Sequence, residues 1–256
     1  MKRKYDEVSN LCTTYEVPFS SIRTKLNSVE VSQEPTVTLG RIWRAQKKED
    51  IPTKKNTLSI RVSKGQGHIG NVLSPFHLLV SPWQQKEEEN ILEQKQNILE
   101  QKQQIFTKGQ IPLEMWWQAA KVKPSEVGEG GVVLPCYFER RQQIFTKGQV
   151  KRRYFTGPIA GAVFGDDPKL VDYLSSRVWY CKSYSQAVEN LPAFKFLKAI
   201  LQLGINLLLL GPDGHQLQPE ETWEQAYSDP TKQFGHERVL ACMLSIHDST
   251  LWPWNH

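Results

Sequence analysis

Apolar residues run along this chain in two rhythms. Leu58-Ser-Ile-Arg-Val62 alternates apolar and polar, which predicts a half-buried strand. Asn206-Leu-Leu-Leu-Leu210 is continuously apolar and reads as a fully buried strand. The other rhythm is helical. Leu170, Leu174, Val178, Cys181 and Val188 recur at helix spacing, and Asp166-Asp167-Pro168 before them predicts a start, with Asp at the N-cap and Pro at N1. Residues 193–202 place Phe194, Leu197 and Leu201 on one face, and Gly204 ends that helix. Gly235-His236-Glu237 opens a helix with Leu240, Met243 and Leu244 on one side. Residues 113–123, LEMWWQAAKVK, form a short helix that stops at Pro124. Strong helical stripes beside two convincing strands predict a helix-rich α+β fold, a single domain with a small sheet.

The middle of the chain repeats itself. NILEQKQ occurs at 90–96 and again at 97–103, and the octamer QQIFTKGQ occurs at 103–110 and at 142–149. Two heptads offer one narrow apolar seam, too little for an isolated coiled coil. An identical octamer suggests duplicated coding sequence, so both repeat-bearing stretches are expected to decorate a core; a helical partner-binding arm is the alternative. The predicted organisation is a basic, partly ordered arm over 1–56, a core over 57–247 with insertions near 84–110 and 139–153, and a docked or frayed tail over 248–256.

Composition narrows the class. The chain has 256 residues, 39% of them apolar, with 8 Trp and 10 Phe, which excludes a disordered chain. The most apolar uncharged run, residues 199–212, is too short to span a bilayer, so no membrane partner is expected. No apolar stretch follows the basic start, so no secretory signal is visible. The 4 cysteines lack CxxC spacing and read as free thiols of a reducing compartment, which predicts an intracellular protein, cytoplasmic or nuclear. Residues 1–64 carry 13 Lys and Arg against 7 Asp and Glu, whereas 157–256 carry 7 against 11. A basic front half, with Arg140-Arg141 and Lys151-Arg152-Arg153 beyond it, suits a nucleic-acid partner or is simply a solvated surface.

Candidate chemistry gathers in a few places. At 100° per residue, Glu114, Gln118 and Lys121 share a helix face beside Trp117, while Trp116, Ala119 and Ala120 point the other way. That face is either an ordinary solvated one or the lining of a polar pocket with an aromatic wall. Arg177 projects on the side of its helix's apolar stripe, where it forms a structural ion pair or a ligand contact; Trp179 turns away. Cys181 lies in the stripe and is expected to pack rather than react. Asp213 follows the buried strand, a good place for a reactive carboxylate and equally good turn chemistry. Gly65, Gly67 and Gly70 are not followed by GK[ST] and form no phosphate loop. No metal motif and no cofactor fingerprint is present, so none is expected.

The order of these pieces resembles the NADAR family, the YbiA-like N-glycosidases. Leu73-Ser-Pro-Phe76 is similar to the family's Leu-Ser-Asn-Phe loop. Glu114-Met-Trp-Trp-Gln118-Ala-Ala-Lys121 matches its Glu-His-Ala-Tyr-Gln-Ala-Ala-Lys helix at Glu, Gln, both alanines and Lys, with Trp117 at the Tyr position. Arg177, Phe194, Leu197 and the run 207–213 follow the family's later order, and 235–244 is similar to its last helix. The family's Trp-Gly after Asp is here Gly214-His215, and the Asn of its last helix is not kept. The resemblance covers roughly 57–247 and implies a NADAR-like fold and hydrolysis of an N-glycosidic bond in a phosphorylated N-riboside or ADP-ribose adduct. It implies Glu114 and Asp213 as catalytic carboxylates. Trp117, Gln118, Lys121, Arg177 and Trp179 would bind a nucleotide-like ligand, with no metal or cofactor. The alternative is a non-catalytic protein of the same fold that binds an ADP-ribose-like or nucleic-acid ligand.

Overall fold

Residues 207–210 are four consecutive leucines because their strand is buried on both faces. In the computed structural model, β7 (Asn206–Gly211) lies between β1 (Val37–Arg41) and β2 (Thr57–Arg61), parallel to both. Val37 and Leu58 both pair with Leu207, so the two outer strands share one register against the centre. A strand with neighbours on both edges and helices over it needs no polar face. The structure describes residues 34–41, 56–62, 67–80, 111–147, 158–164, 169–211, 217–218, 220–232 and 234–256. The fold is helix-rich α+β with a small sheet, and both strands read from the sequence, near 58–62 and 207–210, lie in it. The third strand comes from the stretch assigned to the arm.

The chain divides into two compact units, residues 1–78 with 181–256 and residues 79–180. In the first, α1 (Gly67–Val72) packs on β2, α5 (Pro192–Gln202) on β7, and α7 (His236–Ser245) on β1 and β7. Pro192 starts α5 at a position where its missing N–H is no loss, and Gly204 follows its end at φ +80°. Phe194, Leu197 and Leu201 are all buried, as their spacing predicts. The tail docks: Trp254 is fully buried against Phe234 and Tyr227, and Trp252 Nε1 donates to the Ile246 carbonyl at 3.1 Å. Between β7 and α7 lies the short α6 (Trp223–Ser228), capped by Thr222.

The second unit has little sheet. A two-residue pair joins β3 (Leu79–Val80) to β4 (Ile111–Pro112), and another joins β5 (Lys121–Val122) to β6 (Gly161–Ala162). Its body is α2 (Leu113–Ala120), α3 (Pro135–Lys147) and the first half of α4 (Tyr173–Val188). Two expectations need correcting here. α2 ends at Ala120 rather than Lys123, because Lys121 and Val122 pair with β6 in extended form. α4 starts at Tyr173, not at Pro168: Val171 bridges Ala162 and so is extended. Asp172 is the working cap, accepting from the Ser175 N–H at 2.9 Å and from the Ser175 hydroxyl. Asp166 to Pro168 lie outside the described residues, as do the NILEQKQ repeats and the first QQIFTKGQ. The second copy of that octamer runs into the last turns of α3, where Ile144 is fully buried; that part of the expected decoration contributes to a core.

Candidate functional site

α2 carries most of the candidate residues, and its setting decides what they can do. From Trp116 to Ala120 every residue is buried, so this helix is internal on both of its faces. Gln118 is only 4% exposed, which removes the solvated-face reading for that residue. Its Nε2 donates to Glu114 Oε1 at 2.7 Å, one turn back, while Glu114 itself is half-buried. Lys121 sits just past the helix, and its Nζ lies 5.3 Å from the centre of the Trp117 ring. Glu114, Trp117, Gln118 and Lys121 are therefore gathered by one helix and its C-cap.

The carbonyls at the end of α2 have no partners within the helix, and neighbouring side chains supply them. Tyr137 of α3 donates its hydroxyl to the carbonyls of Ala119 at 3.1 Å and Ala120 at 3.3 Å. Burial raises the pKa of that phenol above its usual value, against the opposing pull of Arg141 and Arg140. Arg140 donates to the carbonyls of Gln118 and Lys121, and grips Glu126 through two bonds, Nε to Oε1 at 2.5 Å and Nη2 to Oε2 at 2.8 Å. A cation at a helix C-terminus is also favoured by the helix dipole. The sequence allowed Arg140 and Arg141 to be part of a nucleic-acid surface or of a solvated one. Both are buried, at 9% and 8% exposure, and Arg140 holds α2 in place. Its partner Glu126 lies 14 residues earlier in the chain, and no local spacing in the sequence links the two.

The aromatic candidates have partners already. Trp179 of α4 stacks on Trp116 with ring centres 3.4 Å apart, and Phe164 lies 5.1 Å from Trp116. Trp117 meets Tyr180 at 5.1 Å. These contacts fasten the first half of α4 to α2. Arg177 is 2% exposed, with its guanidinium carbon 5.0 Å from the Tyr173 ring centre, which suits a structural cation more than a ligand contact. Asp213 lies outside the described residues, and so do Lys151, Arg152 and Arg153. Cys181 is fully buried, as its place in the stripe predicts.

The first unit holds a buried polar cluster that sequence reasoning missed. Glu237, in the first turn of α7, is fully buried beside Gly211, the last residue of β7. A Cβ on Gly211 would stand 1.9 Å from Glu237 Oε1, so any larger residue there forces the buried Glu237 side chain to shift. His236 Nε2 lies 2.8 Å from the Val62 carbonyl, and its Nδ1 lies 3.2 Å from Glu237 Oε2. A carbonyl only accepts, so Nε2 carries a proton and donates. Through Nε2, His236 ties the end of β2 to the start of α7. Tyr184 donates to the Leu73 carbonyl at 2.7 Å, and burial, with the Glu237 charge second, holds its phenol well above the usual value. Burial likewise pushes the Cys242 thiol far up, which keeps it an unreactive neutral group. Among the described residues no group of three or more His, Cys, Asp or Glu could hold a metal ion, and no helix is long and apolar enough to cross a membrane.

No family model, no curated protein and no solved structure matches this chain. What the site can do is therefore argued from its own residues.

Proposed function

We propose that the chain is an N-glycosidase that hydrolyses the N-glycosidic bond of a phosphorylated N-riboside or of an ADP-ribose adduct. The observation that carries this reading is the Glu114–Gln118 contact: a half-buried carboxylate held at 2.7 Å by a buried amide, on a helix walled by tryptophans. Breaking an N-glycosidic bond develops positive charge on the sugar. A fixed carboxylate stabilises that charge and takes a proton from the attacking water. Glu114 has this role in the proposal. The Gln118 amide donates to one carboxylate oxygen and so fixes its direction, leaving the other for chemistry. Lys121, half-buried beside Trp117, is the cation placed to meet a phosphate.

The test is Glu114→Gln. It keeps shape but cannot carry negative charge or act as a base. Release of free base or ribose phosphate should fall by about a hundredfold or more, with the fold and ADP-ribose binding retained. Equal activity in both proteins takes Glu114 out of the mechanism. Binding of ADP-ribose without turnover by either protein makes the chain a non-catalytic ADP-ribose binder, the second reading.

A further inference from the structure

Gln118 carries a buried acceptor that the described residues leave without a donor. The side chain sits on α2, almost wholly enclosed at 4% exposure. Its Nε2 faces Glu114 Oε1 at 2.7 Å. A carboxylate only accepts, so the amide cannot be turned round: the NH2 group must face Glu114, and the carbonyl oxygen must face away. That oxygen is buried and meets no hydrogen-bond donor. The backbone carbonyl of the same residue, by contrast, is satisfied by Arg140. Nearly all buried polar side-chain atoms in folded proteins have a partner, because an unmet one forfeits its hydration and gains nothing. The missing partner is a donor, and the chemistry around it says which kind. Glu114 beside it excludes an anion, so a phosphate does not bind here. A carbonyl oxygen beside a carboxylate oxygen accepts from a group that carries two adjacent donors, and the vicinal hydroxyls of a ribose are such a group.

We propose that Gln118 Oε1 and the second carboxylate oxygen of Glu114 accept hydrogen bonds from the vicinal hydroxyls of a ribose, so that the site selects ribosides against 2′-deoxyribosides. This rests on the N-riboside reading above and adds the part of the substrate that α2 recognises. Gln118 is then a specificity residue. A hydrogen bond from the 2′-hydroxyl would also hold Glu114 next to the anomeric carbon, where its charge is needed. The Gln118 oxygen is occluded, so a hydroxyl reaches it as the half-buried Glu114 side chain swings aside.

The experiment measures binding of ADP-ribose and of 2′-deoxy-ADP-ribose by calorimetry, with the full chain and with Gln118→Met, which keeps the length of the side chain and removes its acceptor. Wild type is expected to prefer the ribose form by about tenfold or more, the scale of one hydrogen bond to a charged or buried acceptor. Gln118→Met is expected to reduce that preference to about twofold or less; Gln118→Leu replaces it if the methionine variant does not fold. A wild-type preference under about twofold, with ADP-ribose bound, overturns this proposal and leaves the N-riboside reading standing. A preference that survives in the variant overturns it too, and assigns the buried oxygen to a structural water. Failure of wild type to bind either ligand, or ribose 5-phosphate, at millimolar concentration overturns the proposal and the N-riboside reading together.

Discussion

The two compact units are held by different physics. The unit with the parallel sheet is apolar at its centre: β7 is buried from Leu207 to Gly211, and α5 lays a face of Phe and Leu on it. The unit with α2 is bolted by polar side chains, Arg140 to Glu126 and to two carbonyls, and Tyr137 to two more. Apolar packing is forgiving, since a swap of similar volume loses little. A buried polar lock is not, because removing one member strands the others. The candidate site sits in the bolted unit, where a small change in geometry is felt by Glu114 and Gln118 through the backbone of one short helix.

Arg140→Met should show the contrast most sharply. It leaves the buried Glu126 without its cation and two carbonyls without a donor, which costs about 3–5 kcal/mol. Urea unfolding measures the loss. Hydrogen exchange should speed up across α2 and α3 while the amides of 207–210 stay protected; equal loss in both units would mean that they unfold as one. In the sheet unit, Gly211→Ala should cost about 1–3 kcal/mol, because the added methyl runs into the Glu237 carboxylate. A neutral result would place Glu237 elsewhere.

Each unit also buries one phenol on backbone carbonyls, Tyr137 and Tyr184, and the two invite a direct comparison. For both the folded pKa is raised, so the stability they confer is complete below the unfolded value near 10 and is lost as pH climbs above it. Tyr184→Phe should cost about 1 kcal/mol at neutral pH and move the alkaline edge of unfolding upward. Tyr137→Phe should move that edge less, because Arg141 and Arg140 already pull its pKa down. The reverse order would contradict the assigned causes. The smallest effect belongs to Asp172, whose pKa is lowered by its bonds to Ser175. Its contribution is present above about pH 4 and fades as pH falls further. Asp172→Asn keeps a good cap, so its melting temperature should trail wild type slightly at pH 7 and converge with it near pH 2.

The same contrast explains what could be read in advance. The Leu run of β7, Pro192 and Gly204 around α5, and the burial of Cys181 all follow from local pattern, since burial on both faces and helix ends leave marks within a few residues. Arg140 leaves no such mark. Its partners are 14 to 22 residues away, and beside Arg141 it resembles a surface patch. Asp166-Asp167-Pro168 carries a helix-start pattern, but pairing of Val171 with Ala162 delays the helix to Tyr173. At the site, the grouping of Glu114 with Gln118 was legible from i, i+4 spacing. The burial of Gln118 was hinted at only by its neighbours Trp117, Ala119 and Ala120. The cluster of His236, Glu237 and Gly211 was hidden because charged residues at a helix start normally face water.

The sheet's strand order has a consequence for the birth of the protein. β7 is the middle strand, yet it is made long after both of its neighbours; the bond from the Thr36 N–H to Asn206 Oδ1 spans 170 residues. At ribosomal rates of about 5–20 residues per second, β1 waits roughly ten to thirty seconds for the strand it pairs with. Until then β1 and β2 cannot form this sheet at all, since neither bonds to the other. A ribosome stalled before residue 206 therefore holds a chain whose first unit has no template, while the second unit has its α2, α3 and polar bolts in hand.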